Sequence, residues 1–217
     1  PTYFHYPIFT QKSFMPRHII FLTFFLSFIG CTATKQSSSK TPDDVLAENG
    51  FIKYTIPKGK QKPSPNPLVL VDAKSLKFIV HFDSTAIYIN DVKKDRRDIN
   101  KLYGFSDNFS LHHRYSARFG WRWLNDRLQL TAYCYNNGIR SFKEISNIQL
   151  NGFDTCEIKI SGNEYIFSVN EKSISMPRSA HGKNAAGYKL FPFFGGNEAA
   201  PHDINIYIKE IKLSSFQ

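Results

Sequence analysis

Residues that could do chemistry concentrate between positions 112 and 135. His112-His113-Arg114-Tyr115, with Arg118 three residues on, supplies the side chains for abstracting a proton beside a carboxylate. A base such as His113 or Tyr115 would take the proton, and a cation such as Arg118 would neutralise the adjacent acid. A polysaccharide lyase uses that combination. Adjacent histidines on a strand point to opposite faces, so at most one of His112 and His113 would serve. The competing reading is a polar loop with one packed histidine.

A second constellation follows. Arg127, Gln129, Tyr133 and Tyr135 fall on one side of an alternating stretch, and Arg118 and Arg122 on one side of another. Tyrosine rings stack on sugar faces, and the planar guanidinium holds carboxylates or sulfates. These six residues are the expected ligand-binding set. The alternatives are packing under a loop for the tyrosines and cross-strand ion pairing, with Glu157 for example, for the arginines.

Metal ligation has weaker support. His112, His113, His181, His202, Asp107 and Asp203 lack a zinc-type spacing. A structural calcium would draw on loop oxygens, with Asp107, Asn108 and Asp203 as candidates. His202-Asp203 could form a hydrogen-bonded dyad. No other cofactor is expected.

The element that must position these groups is a β-hairpin. Ser116-Ala-Arg-Phe-Gly-Trp-Arg-Trp123 puts Phe119, Trp121 and Trp123 on one side and Arg118, Gly120 and Arg122 on the other. Asn125-Asp126 supplies the turn. Leu128, Leu130, Ala132 and Cys134 then alternate with the polar set up to Tyr135. Period-2 alternation with bulky aromatics marks a half-buried antiparallel pair.

Around it, strands are expected at 51–56, 68–71, 76–82, 86–90, 139–150, 153–160, 165–169 and 203–213, and 187–194 is an apolar, aromatic run that ends in Gly195-Gly196. Residues 103–116 read as irregular. Turns are expected at Asn136-Asn-Gly138, Asn151-Gly152, Gly162-Asn163 and Asn170–Lys172. Lys58–Pro67 is a proline-rich loop, Asp91–Asn100 a charged surface loop, and Asp43–Asn49 one or two helical turns. Many short strands and little helix predict an all-β, two-sheet antiparallel jelly-roll sandwich.

Ile19–Gly30 is an apolar run after Met15-Pro-Arg17-His, too short to span a bilayer comfortably. Its end, Phe28-Ile-Gly-Cys31, resembles the lipobox of bacterial lipoproteins, although Phe28 stands where that family usually has leucine. The resemblance implies a signal peptide at 15–30 and lipidation of Cys31, with 1–14 as an upstream extension. Residues 31–50 would be lipidated cysteine and flexible tether, and 51–217 the folded domain. The chain would then be exported and anchored to a bacterial membrane, facing the periplasm or the cell surface. Cys134 and Cys156 remain, either as a disulfide or as two buried thiols.

The formal charge is +10. The first 40 residues hold four of the 28 basic groups and none of the 18 acids, leaving +6 on the remainder. That balance favours an acidic partner.

The body, 51–217, resembles the concanavalin-like lectin/glucanase jelly roll. The resemblance rests on strand order and on Gly187-Tyr-Lys-Leu-Phe-Pro-Phe-Phe-Gly-Gly196 followed by Asp203-Ile-Asn-Ile-Tyr-Ile-Lys209. It implies that the concave sheet carries a sugar. The Glu-x-Asp-x-x-Glu cluster of that family's glucanases is missing, and the motifs of its alginate-lyase branch are not matched. The expected function is therefore carbohydrate binding without catalysis by a surface lipoprotein. The expected partners are a polysaccharide or other glycan, an acidic one included, and a membrane through the anchor, with no nucleic acid. The alternatives are a lyase or hydrolase of an acidic polysaccharide, and an adhesion lipoprotein that binds a protein.

Overall fold

The computed structural model describes residues 40–89, 95 and 97–212. The expected signal peptide, Cys31 and most of the charged loop lie outside these residues. A short helix, α1 (Pro42–Glu48), opens the described chain, followed by twelve strands. These are β1 (Ile52–Ile56), β2 (Leu70–Ala73), β3 (Ser75–Phe82), β4 (Asn100–Ser106), β5 (Tyr115–Leu124) and β6 (Arg127–Asn136). Then come β7 (Ile139–Ile148), β8 (Asp154–Ser161), β9 (Glu164–Val169), β10 (Lys172–Pro177), β11 (Ala185–Leu190) and β12 (Ile204–Glu210). They form two six-stranded sheets, β1-β12-β3-β8-β9-β10 and β2-β11-β4-β5-β6-β7.

Alternation builds the core between the sheets. Phe78, Val80 and Phe82 of β3 and Ile204, Ile206 and Ile208 of β12 face Phe119 and Trp121 of β5 and Leu128, Leu130 and Ala132 of β6. Phe119 sits edge-on to Phe78 and Phe167, with centroids 5.6 and 5.2 Å apart. Such pairs add directionality to apolar burial. Trp123 packs against this cluster and stays partly open.

The turn chemistry is local. Leu124 pairs with Arg127 across Asn125-Asp126, at φ 51° and 55°. Asn136 pairs with Ile139 across Asn137-Gly138, at 51° and 82°. Positive φ at both central positions gives the twist that tight hairpins need.

Several expectations are corrected. Residues 86–90 form no strand in their described part. Asp83 accepts from the Thr85 amide at 2.8 Å and caps a 3₁₀ turn, Ser84–Ala86. Residues 103–106 are not irregular, because they belong to β4. A bulge between Lys101 and Gly104 breaks the alternation that would have revealed it. The apolar run at 187–194 is strand only as far as Leu190, and β10 had no expected counterpart. The one or two helical turns expected at 43–49 are present as α1. A Thr41/Asp44 capping box starts α1, and Asp43 fixes it to Lys53 and Tyr207 at 2.6 Å each.

Candidate functional site

The outer face of β4-β5-β6-β7 is assembled by register. One cross-strand row reads Lys101, Gly120, Thr131, Glu144; the next reads Gly104, Arg118, Tyr133, Phe142; the third reads Ser106, Ser116, Tyr135, Arg140. Side chains that share a row or adjacent rows touch. Lys101, Arg118 and Arg140 are thereby gathered around Tyr133 and Tyr135.

Chain 191–197 and residues 97–99 cover part of this face. Lys101 exchanges backbone hydrogen bonds with Phe193, and its Nζ donates to the Gly195 carbonyl at 2.7 Å. Arg118 donates through Nη2 to the Phe191 carbonyl at 3.0 Å, and its Nε has no partner. Between the coverings lies a notch of about 90 Å3, lined by Asp98, Lys101, Tyr133, Arg140, Phe142 and Gly196. That space is far below the roughly 300–1,000 Å3 of a small-ligand pocket.

The electrostatics follow from crowding cations under cover. Burial, then Arg118 and Arg140, lower the Lys101 ammonium to about 8, with Asp98 opposing. Burial lowers the Arg118 guanidinium to about 10, with Tyr133, Tyr135 and Tyr188 opposing. Burial, then the Tyr135 hydroxyl, raise Tyr133 to about 12. The Lys101 ammonium also lies 5.4 Å from the centre of the Tyr133 ring.

At the other end of the face, the Tyr188 hydroxyl accepts from the His112 amide at 3.1 Å and lies 2.8 Å from His112 Nδ1. Burial, then the charges of His113 and Arg118, lower His112 to about 4. The His113 ring packs 4.2 Å from that of His112 and 5.2 Å from that of Tyr135.

The expected catalytic set does not converge. Tyr115 shares the strand parity of Ala117 and Phe119, opposite to Arg118, and its hydroxyl donates to Asn137 Oδ1 at 3.3 Å. His113 joins Arg118 on the outer face, beside Tyr135. Of the expected binding set, Arg118, Tyr133 and Tyr135 are together. Arg122 is consumed internally: it donates to Gln129 Oε1 at 2.8 Å and the Arg97 carbonyl at 3.0 Å, and pairs with Glu144. Its carboxylate partner is thus on β7, across β6 in the same sheet, and is not Glu157. Gln129 is spent on the same contact. Arg127 is exposed at the hairpin end and lines a different cleft.

The calcium candidates are all engaged by protein groups. Asp107 Oδ2 accepts from Arg178 at 2.9 Å and Tyr165 at 2.7 Å, and Oδ1 accepts from the amides of Asn108 and Ala186. Asn108 Oδ1 faces the His181 amide, and Asp203 accepts from the Lys58 amide at 2.7 Å. His202 Nε2 meets the Thr85 carbonyl at 2.9 Å, so no His202-Asp203 dyad forms. Among the described residues no three His, Cys, Asp or Glu gather as a metal site. Cys134 and Cys156 are buried free thiols on opposite sheets.

Sequence reasoning missed Lys101, Arg140 and Tyr188. Lys101 lies before the bulge, and Arg140 and Tyr188 reach the face through strand pairings that local patterning does not reveal.

No family model and no curated protein matches this chain. Solved structures do match. An alginate lyase shares 9% identity and a TM-score of 0.50, with 76% of this chain and 75% of that chain covered. The fold is the concanavalin A-like jelly roll. A glycoside hydrolase family 16 endo-glucanase from Bacteroides ovatus shares 8% identity at a TM-score of 0.46, covering 74% of this chain and 80% of its own. A carbohydrate-binding module from Bacillus subtilis shares 9% at 0.36, covering 74% and 92%. The alginate-lyase likeness, at 9% identity, shows the fold and nothing of the ligand.

Proposed function

We propose that this jelly roll binds an acidic glycan across the outer face of β4-β5-β6-β7. The observation that carries the reading is the gathering of Lys101, Arg118 and Arg140 around Tyr133 and Tyr135. Asp98 is the one acidic group that lines the notch between them. Lys101 is held below its ordinary range there, so a carboxylate or sulfate relieves crowding among cations and gains charge-assisted hydrogen bonds. The small notch takes the anionic substituent while the half-exposed Tyr135 and the exposed His113 meet the sugar ring. Export and membrane anchoring through Cys31 belong to the same reading, supported by the short apolar run that precedes it.

Titration with polyuronates, a sulfated polysaccharide and a neutral glucan tests this. Saturable, salt-weakened binding to the acidic polymers, reduced by Arg140→Ala and Tyr135→Ala, is expected. Equal binding to the neutral glucan, or no loss in either variant, overturns it.

A second reading, lysis of the same polymer, draws on the His112–Tyr188 pair beside Arg118. Burial keeps the His112 ring neutral and so able to take a proton, with Tyr188 holding its Nδ1. Lysis would leave unsaturated ends, visible by ultraviolet absorbance. Their absence during saturable binding leaves the binding module.

A further inference from the structure

At the end of the sandwich formed by the β5–β6 turn, a separate cleft of about 420 Å3 opens beside Trp123. Its volume lies within the roughly 300–1,000 Å3 of small-ligand sites. Its floor is Leu128 and Ile148, both buried core residues at 1% and 8% exposure. The Trp123 indole packs on the core and remains partly open to the cleft. On the rim stand Arg127, Asn147 and Gln149, whose side chains make no hydrogen bond with the described residues. Asp126 and Leu150 complete the lining, so the rim carries one charge of each sign and two amides.

We propose that this cleft is a second carbohydrate subsite, specific for a neutral sugar. An aromatic ring backed by the core offers a stiff platform for the C–H face of a pyranose, and the free amides and guanidinium offer donors and acceptors for its hydroxyls. The charge balance separates it from the cationic sheet face, which suits an anion. Leu128 and Ile148 are nearly sealed, so the apolar surface open to a ligand is that of the half-exposed Trp123 and Leu150. The polar rim around it suits the hydroxyls of a sugar better than the apolar side chains of a docking peptide. The subsite stands on its own observations, whatever occupies the outer face of β4-β5-β6-β7.

The chain has two tryptophans. Trp121 is fully buried, and its Nε1 has no hydrogen-bond partner. Trp121→Phe therefore loses no hydrogen bond and leaves Trp123 as the sole indole emitter. The full chain with this substitution, titrated with cellohexaose, laminarihexaose, xylohexaose and mannohexaose, should show a saturable emission change and protection from iodide quenching with at least one of them. In the unsubstituted background, calorimetry should show that ligand weakened about tenfold or more by Trp123→Ala, the loss typical of a central aromatic anchor. Asn147→Ala and Arg127→Ala, at exposed positions that leave folding intact, should weaken it as well. Arg140→Ala should leave it unchanged. No saturable change with any of the four sugars overturns the proposal. So does binding that Asn147→Ala and Arg127→Ala both leave unaltered, or binding that Arg140→Ala abolishes.

Discussion

Arg178 Nε lies 2.9 Å from Asp107 Oδ2, and the two side chains are 2% and 0% exposed. Of the ion pairs among the described residues, this is the one with both partners shut off from water. The guanidinium also donates to the carbonyls of His181, Gly182 and Asn184. Asp107 in turn holds Tyr165 of the opposite sheet. One carboxylate thus ties the end of β4, the core of β9 and the loop before β11.

Removing the carboxylate charge leaves a buried guanidinium uncompensated. Asp107→Ala should cost about 3–5 kcal/mol of stability, read as a lower urea midpoint. Tyr165→Phe, which removes one neutral donor, should cost about 1 kcal/mol. A loss in Asp107→Ala no larger than in Tyr165→Phe would mean that the pair is not the tie described.

The pH dependence of glycan binding should follow Lys101. Lowered to about 8 by burial and by Arg118 and Arg140, it is charged below that pH and neutral above it. Arg118, at about 10, stays charged through this window. Affinity for a polyuronate should therefore fall about three- to tenfold between pH 7 and pH 9. The bound anion favours the charged ammonium, so binding near pH 8 should take up a proton. Calorimetric heats that vary with the ionisation enthalpy of the buffer would report it. Lys101→Met should remove both effects.

His112 makes a prediction about stability. Its folded pKa, about 4, lies below the ordinary 6.5. Between those values the unfolded chain takes up a proton that the folded one refuses, so the unfolded state gains as the pH drops. The contribution is intact above pH 6.5 and is lost progressively toward pH 4. His112→Gln should flatten the fall of Tm with pH in that window. An unchanged slope would place the acid sensitivity elsewhere.

The sandwich was legible because its hairpins are local. Asn125-Asp126 and Asn137-Gly138 announce their turns, and Phe119, Trp121, Leu128 and Leu130 alternate without interruption. β4 was not legible, since its bulge disrupts the period at Lys101–Gly104. The site was half legible for the same reason. Arg118, Tyr133 and Tyr135 lie on one hairpin and share a face by parity. Lys101, Arg140 and Tyr188 arrive from β4, β7 and β11, and only long-range register places them there. Arg122 has the residue type and parity of Arg118, yet Glu144, Gln129 and Arg97 use it up. No local pattern distinguishes the two arginines.

Gly120 tests whether the cover over the face is built in. A Cβ at this position would meet Ile99 Cγ2 at 2.4 Å and Thr131 Oγ1 at 2.6 Å. The glycine between Arg118 and Arg122 is what lets residues 97–99 lie against the sheet. Gly120→Ala should destabilise by about 1–3 kcal/mol through overpacking and should weaken polyuronate binding by lifting the wall that carries Asp98. Stability and affinity both unaltered would detach the cover from the site.

Cys134 and Cys156 face the core from opposite sheets as free thiols. Burial raises the thiol pKa at Cys134, and burial with Asp154 raises it at Cys156. A thiol with almost no thiolate and no access is a poor nucleophile. Iodoacetamide should leave both unmodified in the native protein and label both in denaturant without prior reduction, as counted by intact mass. Native labelling of either, or a need for reductant, would contradict the placement. Because the thiols act as small apolar groups, Cys156→Ser should cost more than Cys156→Ala. The serine brings a hydroxyl into a space with no evident partner, a penalty of about 1–3 kcal/mol, whereas the alanine loses only one atom's packing.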